Sequence, residues 1–413
     1  MSADPDPTIL TFLGTYLPGF KGGGPIRSIG NLVNALGGEF CFRVVTLDRD
    51  CGEKLPFPGI VANRWVRVGR ADVMYLRPGL RCFLAAWALL RSVDRHTVLY
   101  LNGFFDWRFS LPAVFMHWLK LCRPRCVLLA PRGEFSSGAM HFKRLRKLSY
   151  IRISRWLGLY KYIIWHASSD LEAADVRRQF PLVKRIGVAG VIPRVEVSER
   201  KRRPWGGVAI ASDIAGIESP LDRQIMRSKK QGQLRAVFVS RIARMKNLSG
   251  ALRMLEGVSG DVSFNIYGPQ EDAGYWEECQ GLIAALPTNI RVQYCGQIEH
   301  ERIWGVFAEN DLFLFPTLGE NYGHVICEAL AAGCPVLISD QTPWRDLEKE
   351  RAGWAFPHDE TERFRSVLQQ CVDADDKWYA ALSARAMKYG VKRSSDPEMI
   401  AANRRLLQQA SAL

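Results

Sequence analysis

The sequence predicts an α/β protein made of two doubly wound domains in tandem. Short β-branched and aromatic runs alternate with longer helical patterns from one end of the chain to the other, which is typical of parallel sheets covered by helices. The length of 413 residues exceeds what one small domain holds. A stretch rich in Gly, Pro and charged residues interrupts the alternation after about residue 193, and this shift in composition divides the chain in two.

Each predicted domain begins with a buried strand. In the first domain, residues 9–14 predict that strand, a loop follows through the glycines at 22–24, and residues 26–36 predict the next helix. The remaining predicted strands are 42–46, 98–101, 127–130 and 163–167 in the first domain, and 234–239, 262–267, 290–295, 312–316 and 335–339 in the second. We place the first domain at residues 1–195, a linker at 196–232 and the second domain at 233–394. A C-terminal helix at about 395–413 is a candidate to pack back on the first domain.

The composition excludes several classes of protein. With 47% hydrophobic and 24% charged residues, the chain can bury a sizeable core, so global disorder is excluded. The longest apolar run, residues 82–90, is about half of what a bilayer span needs, and the N-terminus lacks the basic start of a secretory signal. The ten cysteines are scattered, so we expect reduced thiols in the cytoplasm.

Positive charge is concentrated in the first half of the chain. Residues 1–204 contain 33 Lys and Arg against 15 Asp and Glu, whereas residues 205–413 contain 23 against 27. In residues 142–165 basic and apolar positions interleave, with no Gly or Pro before Gly158, which predicts an amphipathic helix. Such a helix suits an anionic membrane surface, and a helix packed on its own domain is the alternative. A nucleic-acid partner is not expected, because no zinc-finger, RNP-type or basic-zipper motif is present.

Charged side chains follow the predicted strands of the second domain, where ligands of doubly wound sheets bind. A guanidinium and an ammonium, as in Arg241 and Lys246, suit a diphosphate, although a solvated turn would also explain the pair. Glu320 and Glu328 flank a helix start at which Gly323 would let backbone N–H groups approach an anion. Carboxylates at such a place accept hydrogen bonds from sugar or ribose hydroxyls.

Taken together, these segments resemble a known family. They are Ser240-Arg-Ile-x3-Lys246-Asn, Gly268-Pro, Gly296, Glu320-x7-Glu328-Ala, Ala332-Gly-Cys-Pro335 and Asp340-Gln-Thr-Pro-Trp344 in the second domain, and Gly22-Gly-Gly-Pro-Ile-Arg27-Ser, Ala130-Pro-Arg-Gly133 and His166-Ala-Ser-Ser169 in the first. They resemble retaining GT-B glycosyltransferases, and within them the glycosyl transferases group 1 (family 4) of bacterial surface-polysaccharide synthesis. The resemblance implies two Rossmann-like domains facing across a cleft, and it covers nearly the whole chain.

The resemblance also implies roles for individual residues. The implied catalytic residues are Arg241 and Lys246, which would hold the donor diphosphate as it leaves, and Glu320, which would contact the donor sugar. The other implied donor-binding residues are Gly23, Gly24, Arg27, Gly268, Asn321, Gly323, His324, Val325 and Glu328, the last on the nucleotide ribose. The acceptor-side residues are Asn102, Arg132 and His166, and Asn102 stands where many relatives have a histidine.

The expected reaction is transfer of a sugar, with retention, from a nucleotide diphosphate sugar to a lipid-linked or growing glycan acceptor. No cofactor and no metal are expected, because basic side chains and a helix N-terminus would stabilise the leaving group. Asp48-Arg49-Asp50 matches the Asp-x-Asp pattern of paired carboxylates that can bind a metal ion, but this short pattern often arises by chance. We expect a cytoplasmic protein attached peripherally to the inner face of the cell membrane. The alternatives are a nucleotide-sugar 2-epimerase of the same fold and a non-catalytic carbohydrate- or lipid-binding protein.

Overall fold

The structure is a computed structural model that describes residues 7–183, 186–189, 228–394 and 396–412. Most of the predicted linker, 196–232, lies outside these residues. The first sheet has the strand order β3-β4-β2-β1-β5-β6-β7-β8, and all neighbouring strands in it are parallel except β3 and β4. Its strands are β1 Thr8–Phe12, β2 Cys41–Leu47, β3 Trp65–Val68, β4 Ala71–Leu76, β5 Thr97–Asn102, β6 Cys126–Ala130, β7 Ile164–Ala167 and β8 Ile186–Val188.

Helices cover both faces of the first sheet. They are α1 Gly24–Leu36, α2 Leu80–Arg91, α3 Ser110–Trp118, α4 Ser137–His141, α5 Arg144–Trp156 and α6 Asp170–Gln179. Along β5, Val98 and Tyr100 face one hydrophobic cluster, and Leu99 and Leu101 face the other. Because successive side chains of a strand point to opposite faces, a strand buried on both faces is apolar throughout, which explains the continuous run of residues 98–101.

The second sheet is parallel, with the strand order β11-β10-β9-β12-β13-β14. Its strands are β9 Gln233–Val239, β10 Asp261–Tyr267, β11 Ile290–Tyr294, β12 Leu312–Phe315, β13 Val336–Ser339 and β14 Gly353–Phe356. Its helices are α7 Leu248–Leu255, α8 Ala273–Ala285, α9 His300–Glu309, α10 His324–Ala331, α11 Leu347–Glu350, α12 Thr361–Asp373 and α13 Asp376–Ser394. The chain leaves β9 on one side and returns to it on the other at β12, so the loops after these two strands diverge and leave a crevice.

The last helix, α14 (Pro397–Ala412), lies against the first domain. Leu406, Leu407 and Ala410 are buried in the same cluster as the side chains of α1. At the surface, Arg404 Nε and Nη2 donate to the two carboxylate oxygens of Glu39, at 2.6 and 2.8 Å. The hydrophobic stripe of α14 therefore completes one face of the first sheet from the far end of the chain.

Every predicted strand overlaps an observed one, but some elements differ from the sequence prediction. The helix expected from residue 142 onward spans only Arg144–Trp156, because Lys143 and Gly158 at its two ends adopt positive φ angles of 54° and 66°. The antiparallel β3, the adjoining β4, and the edge strands β8 and β14 were not predicted. β3 is exposed or half-exposed along its length, so its sequence shows no buried apolar pattern. Among the helices that the structure describes, none combines the length and the hydropathy needed to cross a bilayer.

Candidate active site

A cleft of about 400 Å³ separates the two domains at the carboxyl ends of their strands. The first domain contributes the loop after β1 with the start of α1, and the loop after β6. The second domain contributes the loops after β9, β10 and β12. The predicted site residues that line this cleft are Gly23, Gly24, Arg27, Arg132, Arg241, Lys246, Gly268, Glu320, Asn321, Gly323, His324, Val325 and Glu328.

Asp50 fixes the glycine-rich loop that faces the cleft. Its carboxylate accepts backbone N–H groups from Phe20 at 2.8 Å, from Lys21 at 3.1 Å and from Cys51 at 2.8 Å. Gly23, which precedes α1, has a φ of 73°, a conformation that favours glycine. Gly23 and Gly24 line the cleft, so the N-terminus of α1, with its partial positive charge, lies there.

The Asp48-Arg49-Asp50 triplet therefore has a structural explanation. Asp48 is ion-paired with Arg49 Nε at 2.9 Å, and Asp50 is engaged with the backbone N–H groups. Within the described ranges, no group of three or more His, Cys, Asp and Glu side chains is placed to hold a metal ion.

Lys246 and Glu320 form an ion pair inside the cleft. Lys246 ends a 3₁₀ turn, Arg244–Lys246, and Asn247 then caps α7 through its side chain. The Lys246 ammonium contacts the Glu320 carboxylate, and only 12% and 16% of the two side chains are exposed. Each group thus has an opposite charge as its partner in a largely desolvated place, where electrostatic interactions are strong.

Arg241 is more loosely held than Lys246. It lines the cleft, but its Nη1 is 2.7 Å from Oε2 of Glu271, and about half of each side chain is exposed. Exposed ion pairs of this kind contribute about 1 kcal/mol or less. The guanidinium is therefore free to exchange Glu271 for an anion entering the cleft.

The start of α10 faces the start of α1 across the cleft. Gly323, with a φ of 76°, precedes α10, and a Cβ added there would lie 2.7 Å from Ile326 Cδ1. On this helix Glu328 is ion-paired with Arg27 Nη1 at 2.5 Å, and His324 Nε2 lies 3.3 Å from Ser28 Oγ. Two pairs of residues, each about 300 positions apart, thus link the domains at the place predicted for the nucleotide.

Gly268 has a packing role that explains why no other residue suits this position. Its φ is 140°, and an added Cβ would lie 1.9 Å from the carbonyl oxygen of Ser240. Its N–H donates to the carbonyl oxygen of Gly296 at 2.8 Å. The loops after β9 and β10 therefore approach each other closely, and this contact places Arg241 at the cleft.

Of the three predicted acceptor-side residues, Arg132 lines the cleft and the other two lie behind it. Asn102 is buried, and its Oδ1 accepts from Nε and Nη2 of Arg132 at 2.9 and 2.7 Å. Arg132 Nη2 also donates to the hydroxyl of Tyr100 at 3.0 Å. The Nδ2 of Asn102 in turn donates to Thr11 Oγ1 at 2.9 Å. In this structure Asn102 therefore contacts Arg132 and not the cleft.

His166 is further from the cleft, at the back of the same network. Its Nε2 lies 2.9 Å from the carbonyl oxygen of Ala189 and must donate to it, so Nδ1 accepts from the hydroxyl of Tyr100 at 2.6 Å. Burial, followed by the positive charge of Arg132, lowers the pKa of His166 to about 3. The imidazole is consequently neutral at physiological pH, and it orients Tyr100 and Arg132.

A second contact joins the domains beside Glu320. The buried Glu172 accepts the N–H of Gly133 at 2.7 Å and the N–H and hydroxyl of Ser168 at 2.7 and 2.8 Å. Asn321, from the second domain, contacts both Ser168 and Glu172. Its amide nitrogen lies 2.8 Å from Glu172 Oε2 when the amide is oriented to donate. The loops that follow β6 and β12 are thereby held together across the cleft.

Sequence reasoning missed Glu134, which lines the cleft on the side of the first domain. Burial raises the pKa of its carboxyl to about 7, against the opposing effect of the Phe105 and Phe104 amides and of Lys147. The residue directly follows the Ala130-Pro-Arg-Gly133 segment at the end of a strand, and that position is the signal by which it could have been found.

Comparisons with known proteins agree with this architecture. Residues 222–389 match the family model described as glycosyl transferases group 1. A phosphatidyl-myo-inositol mannosyltransferase of Mycobacterium leprae is 26% identical over 212 residues, which are 48% of this chain and 55% of the relative. An O-antigen chain mannosyltransferase B of Escherichia coli is 23% identical over 158 residues, which are 37% of this chain and 40% of the relative. The chain thus spans about half the length of the curated relatives it matches.

Among solved structures, HepE of Anabaena in complex with UDP-glucose is similar to the chain with a TM-score of 0.66. The sequence identity is 16%, and the alignment covers 98% of this chain and 100% of HepE. The likeness confirms the predicted fold class, in which two doubly wound domains face each other across a cleft.

Proposed function

Because residues 222–389 match the glycosyl transferases group 1 family, we propose that the chain transfers a sugar from a nucleotide diphosphate sugar to an acceptor hydroxyl. One observation carries the proposal: two cations and two carboxylates of the second domain, Arg241, Lys246, Glu320 and Glu328, line a single cleft opposite the glycine-rich loop of the first domain. Sugar hydroxyls and a diphosphate are the groups that these side chains bind best.

The donor occupies the second-domain side of the cleft in this proposal. Glu328 on α10 accepts hydrogen bonds from the ribose, and Glu320 accepts them from the transferred sugar. Arg241 and Lys246 neutralise the diphosphate, together with the N-terminus of α10. The HepE complex contains UDP-glucose, which is a nucleotide diphosphate sugar.

The transfer step depends on stabilising the leaving diphosphate. We propose that basic side chains stabilise it and that no metal ion takes part. The bond from the anomeric carbon to the diphosphate oxygen breaks, and the developing negative charge lies beside Lys246 and Arg241. Removing one side chain that stabilises such a charge typically raises the activation free energy by about 3 kcal/mol, which lowers the rate about 100-fold. We further propose that the sugar is transferred with retention of its anomeric configuration.

The acceptor is a lipid-linked or growing glycan of the cell surface, and the first domain receives it at an anionic membrane. The outer face of α5 supports this part of the proposal, since Leu145, Ile153 and Trp156 are 82%, 55% and 84% exposed. Exposed arginines flank them at positions 144, 146, 152 and 155. Basic side chains around exposed apolar ones are typical of helices that lie in a membrane interface. The relatives named above act on phosphatidyl-myo-inositol and on O-antigen chains.

Trp118 extends this face toward α3. Its Nε1 donates to the carbonyl oxygen of Leu157 at 3.1 Å, so the tryptophan lies beside the end of α5, and its ring stacks with that of Phe115. Both rings are partly exposed, at 39% and 45%. Tryptophan near a bilayer surface places its apolar ring among the lipids and its N–H in a polar layer.

The donor experiment combines a thermal-shift screen with a turnover assay. UDP-, GDP- and dTDP-sugars are screened first, because a donor at 100 times its Kd raises stability by about 2.7 kcal/mol. With the best donor, we expect Lys246→Ala to lower turnover about 100-fold. Lys349→Ala, an exposed lysine on α11, is the matched control and should retain the parent rate. Equal turnover in the Lys246 variant would contradict the proposed role.

The same assay separates the alternative functions. A 2-epimerase would interconvert nucleotide sugars when incubated with donor alone, which a transferase does not do. A non-catalytic binding protein would keep its ligand binding after Glu320→Gln and would release no nucleoside diphosphate. Release of nucleoside diphosphate that depends on Glu320 and Lys246 supports the transferase.

The membrane experiment compares two triple charge reversals. Lys147 is left unchanged, because its ammonium donates to the carbonyl oxygen of Ala139 at 2.7 Å and points inward. Each basic residue near an anionic surface contributes about 1 kcal/mol, so reversing Arg144, Arg146 and Arg152 should weaken vesicle binding at least about 100-fold. The control reverses the exposed Lys349, Lys388 and Lys392 of the second domain, with the same change in net charge. Equal sedimentation of both variants with acidic vesicles would exclude this docking face.

A further inference from the structure

Glu134 lines the cleft, and among the described residues only one oxygen of its carboxylate is hydrogen-bonded. Its Oε2 accepts the backbone N–H groups of Phe104 and Phe105, the latter at 2.9 Å, which fixes the carboxylate against the loop after β5. In the part of the chain that the structure describes, Oε1 takes part in no hydrogen bond. A Cβ added at Gly103 would lie 3.5 Å from that oxygen, at ordinary contact distance.

The position of Glu134 places it on the acceptor side. It follows Arg132 and Gly133 at the end of β6, opposite the second-domain loop that contains Glu320. Gly133 faces Asn321, since an added Cβ at 133 would lie 3.2 Å from the Asn321 Cβ. The carboxylate thus borders the space between the donor groups of the second domain and the wall of the first.

The surroundings of Glu134 keep both of its protonation states accessible. Burial raises the pKa to about 7, the backbone amides and the positive charge of Lys147 limit the rise, and the negative charge of Asp106 adds to it. Lys147 lies nearby without forming an ion pair, because its ammonium is engaged with the carbonyl oxygen of Ala139 and sits 5.1 Å above the ring of Phe105. A carboxyl that titrates near neutral pH is suited to accept a proton during a reaction.

We propose that Glu134 binds the acceptor hydroxyl and takes its proton as the sugar is transferred, an inference that rests on the proposed function. The hydroxyl oxygen forms the new bond to the anomeric carbon on the face from which the diphosphate departs, as retention requires, and its proton moves to the Glu134 carboxylate. The bond between the anomeric carbon and the diphosphate oxygen breaks, and its electron pair leaves with the nucleoside diphosphate beside Arg241 and Lys246. When water takes the place of the acceptor, the same step hydrolyses the donor.

Hydrolysis of the donor allows a test without an identified acceptor. The release of nucleoside diphosphate from the nucleotide sugar selected by thermal shift is measured from pH 5.5 to 9. For the parent protein, the rate should rise with pH through a midpoint of about 7, because only the carboxylate accepts a proton. Glu134→Gln should lower the rate about 100-fold and remove this midpoint, while the Kd for the donor changes less than about twofold.

The matched control is Asp106→Asn, which makes the same chemical change on the loop after β5. Asp106 accepts the N–H groups of Arg108 and Ser110 at 3.1 and 3.3 Å and does not line the cleft. This variant should keep the pH-dependent rise, with the midpoint moved to lower pH because the negative charge of Asp106 contributes to the raised pKa of Glu134. A second variant, Glu134→Asp, keeps a titrating carboxyl and should retain a pH midpoint at a reduced rate.

Two outcomes would overturn the inference while leaving the proposed function intact. In the first, Glu134→Gln hydrolyses the donor with the parent's pH profile. In the second, its rate and its donor affinity fall together and Glu134→Asp does not restore the midpoint, so that the carboxylate only supports the loop at residues 104–105. If instead the parent neither binds nor hydrolyses any nucleotide sugar, the proposed function itself fails.

Discussion

Replacing Gly268 by alanine tests the close approach of the two loops that follow β9 and β10 and line the cleft. Gly268→Ala adds one carbon at a backbone with a φ of 140°, and that carbon would lie 1.9 Å from the Ser240 carbonyl oxygen. Real Cβ atoms essentially never come closer than 3.0 Å to another heavy atom, so the loops must separate by roughly 1 Å. The obstacle is backbone, so no side-chain rotation can relieve it.

The expected cost follows from the groups that must move. A residue other than glycine in such a backbone conformation costs about 1–3 kcal/mol. The shift also strains the hydrogen bond from the Gly268 N–H to Gly296 and the one from Tyr294 to the Gly268 carbonyl, each worth about 1 kcal/mol. We therefore expect the free energy of unfolding of the second domain to fall by about 3 kcal/mol, and the donor affinity to fall with it.

The matched control is Gly281→Ala, the same change in an exposed position of α8. An added Cβ there meets nothing within 4 Å, and alanine in a helix interior is favoured over glycine by about 0.5–1 kcal/mol. Urea unfolding should therefore show changes of opposite sign in the two variants, with a difference of roughly 4 kcal/mol. If both variants unfold at the parent's midpoint and bind the donor equally, the inferred contact between the loops is wrong.

Two further predictions concern stability. The folded-state pKa of Glu134, about 7, lies above the usual value of 4.5. The stability gained by protonating the folded state is therefore lost as pH rises through 7. Because Glu134→Gln cannot lose a proton, its free energy of unfolding should rise relative to that of the parent by roughly 1–3 kcal/mol between pH 5 and pH 8, as measured by thermal unfolding. Leu407→Ala should lower the free energy of unfolding by about 2–4 kcal/mol, because that side chain of α14 is 2% exposed in the core of the first domain. Arg404→Ala breaks only an exposed ion pair and should lower it by less than about 1 kcal/mol. Equal unfolding midpoints of these two variants would contradict the packing of α14.

Some residues that line the cleft were predictable because the signal that identifies them is local. Glu320, Gly323 and Glu328 lie within nine residues of one another, where a strand ends and a helix begins, so their grouping follows from the chain itself. Arg241 and Lys246 follow β9 in the same way. Strand ends in a doubly wound sheet converge on one edge, and this rule brought the two groups into one predicted cleft.

Other features depend on packing that no spacing shows. The ion pair between Arg27 and Glu328 joins residues 301 positions apart. Asn102 and His166 were expected beside the acceptor, whereas the structure places them behind Arg132, because a side chain at the end of a strand can point into the sheet as well as out of it. The raised pKa of Glu134 results from burial, which only the folded surroundings determine.

The sequence by itself determined the alternation of strands and helices, the two doubly wound domains, and the family segments at the strand ends. These follow from hydrophobic periodicity and from residue types close together in the chain. Only the tertiary structure decided which oxygen of Glu134 accepts the backbone N–H groups of the loop after β5, how Asp50 holds the glycine-rich loop, and where α14 packs. Such contacts join residues that are distant along the chain, and their energies depend on burial and direction, which exist only once the chain has folded.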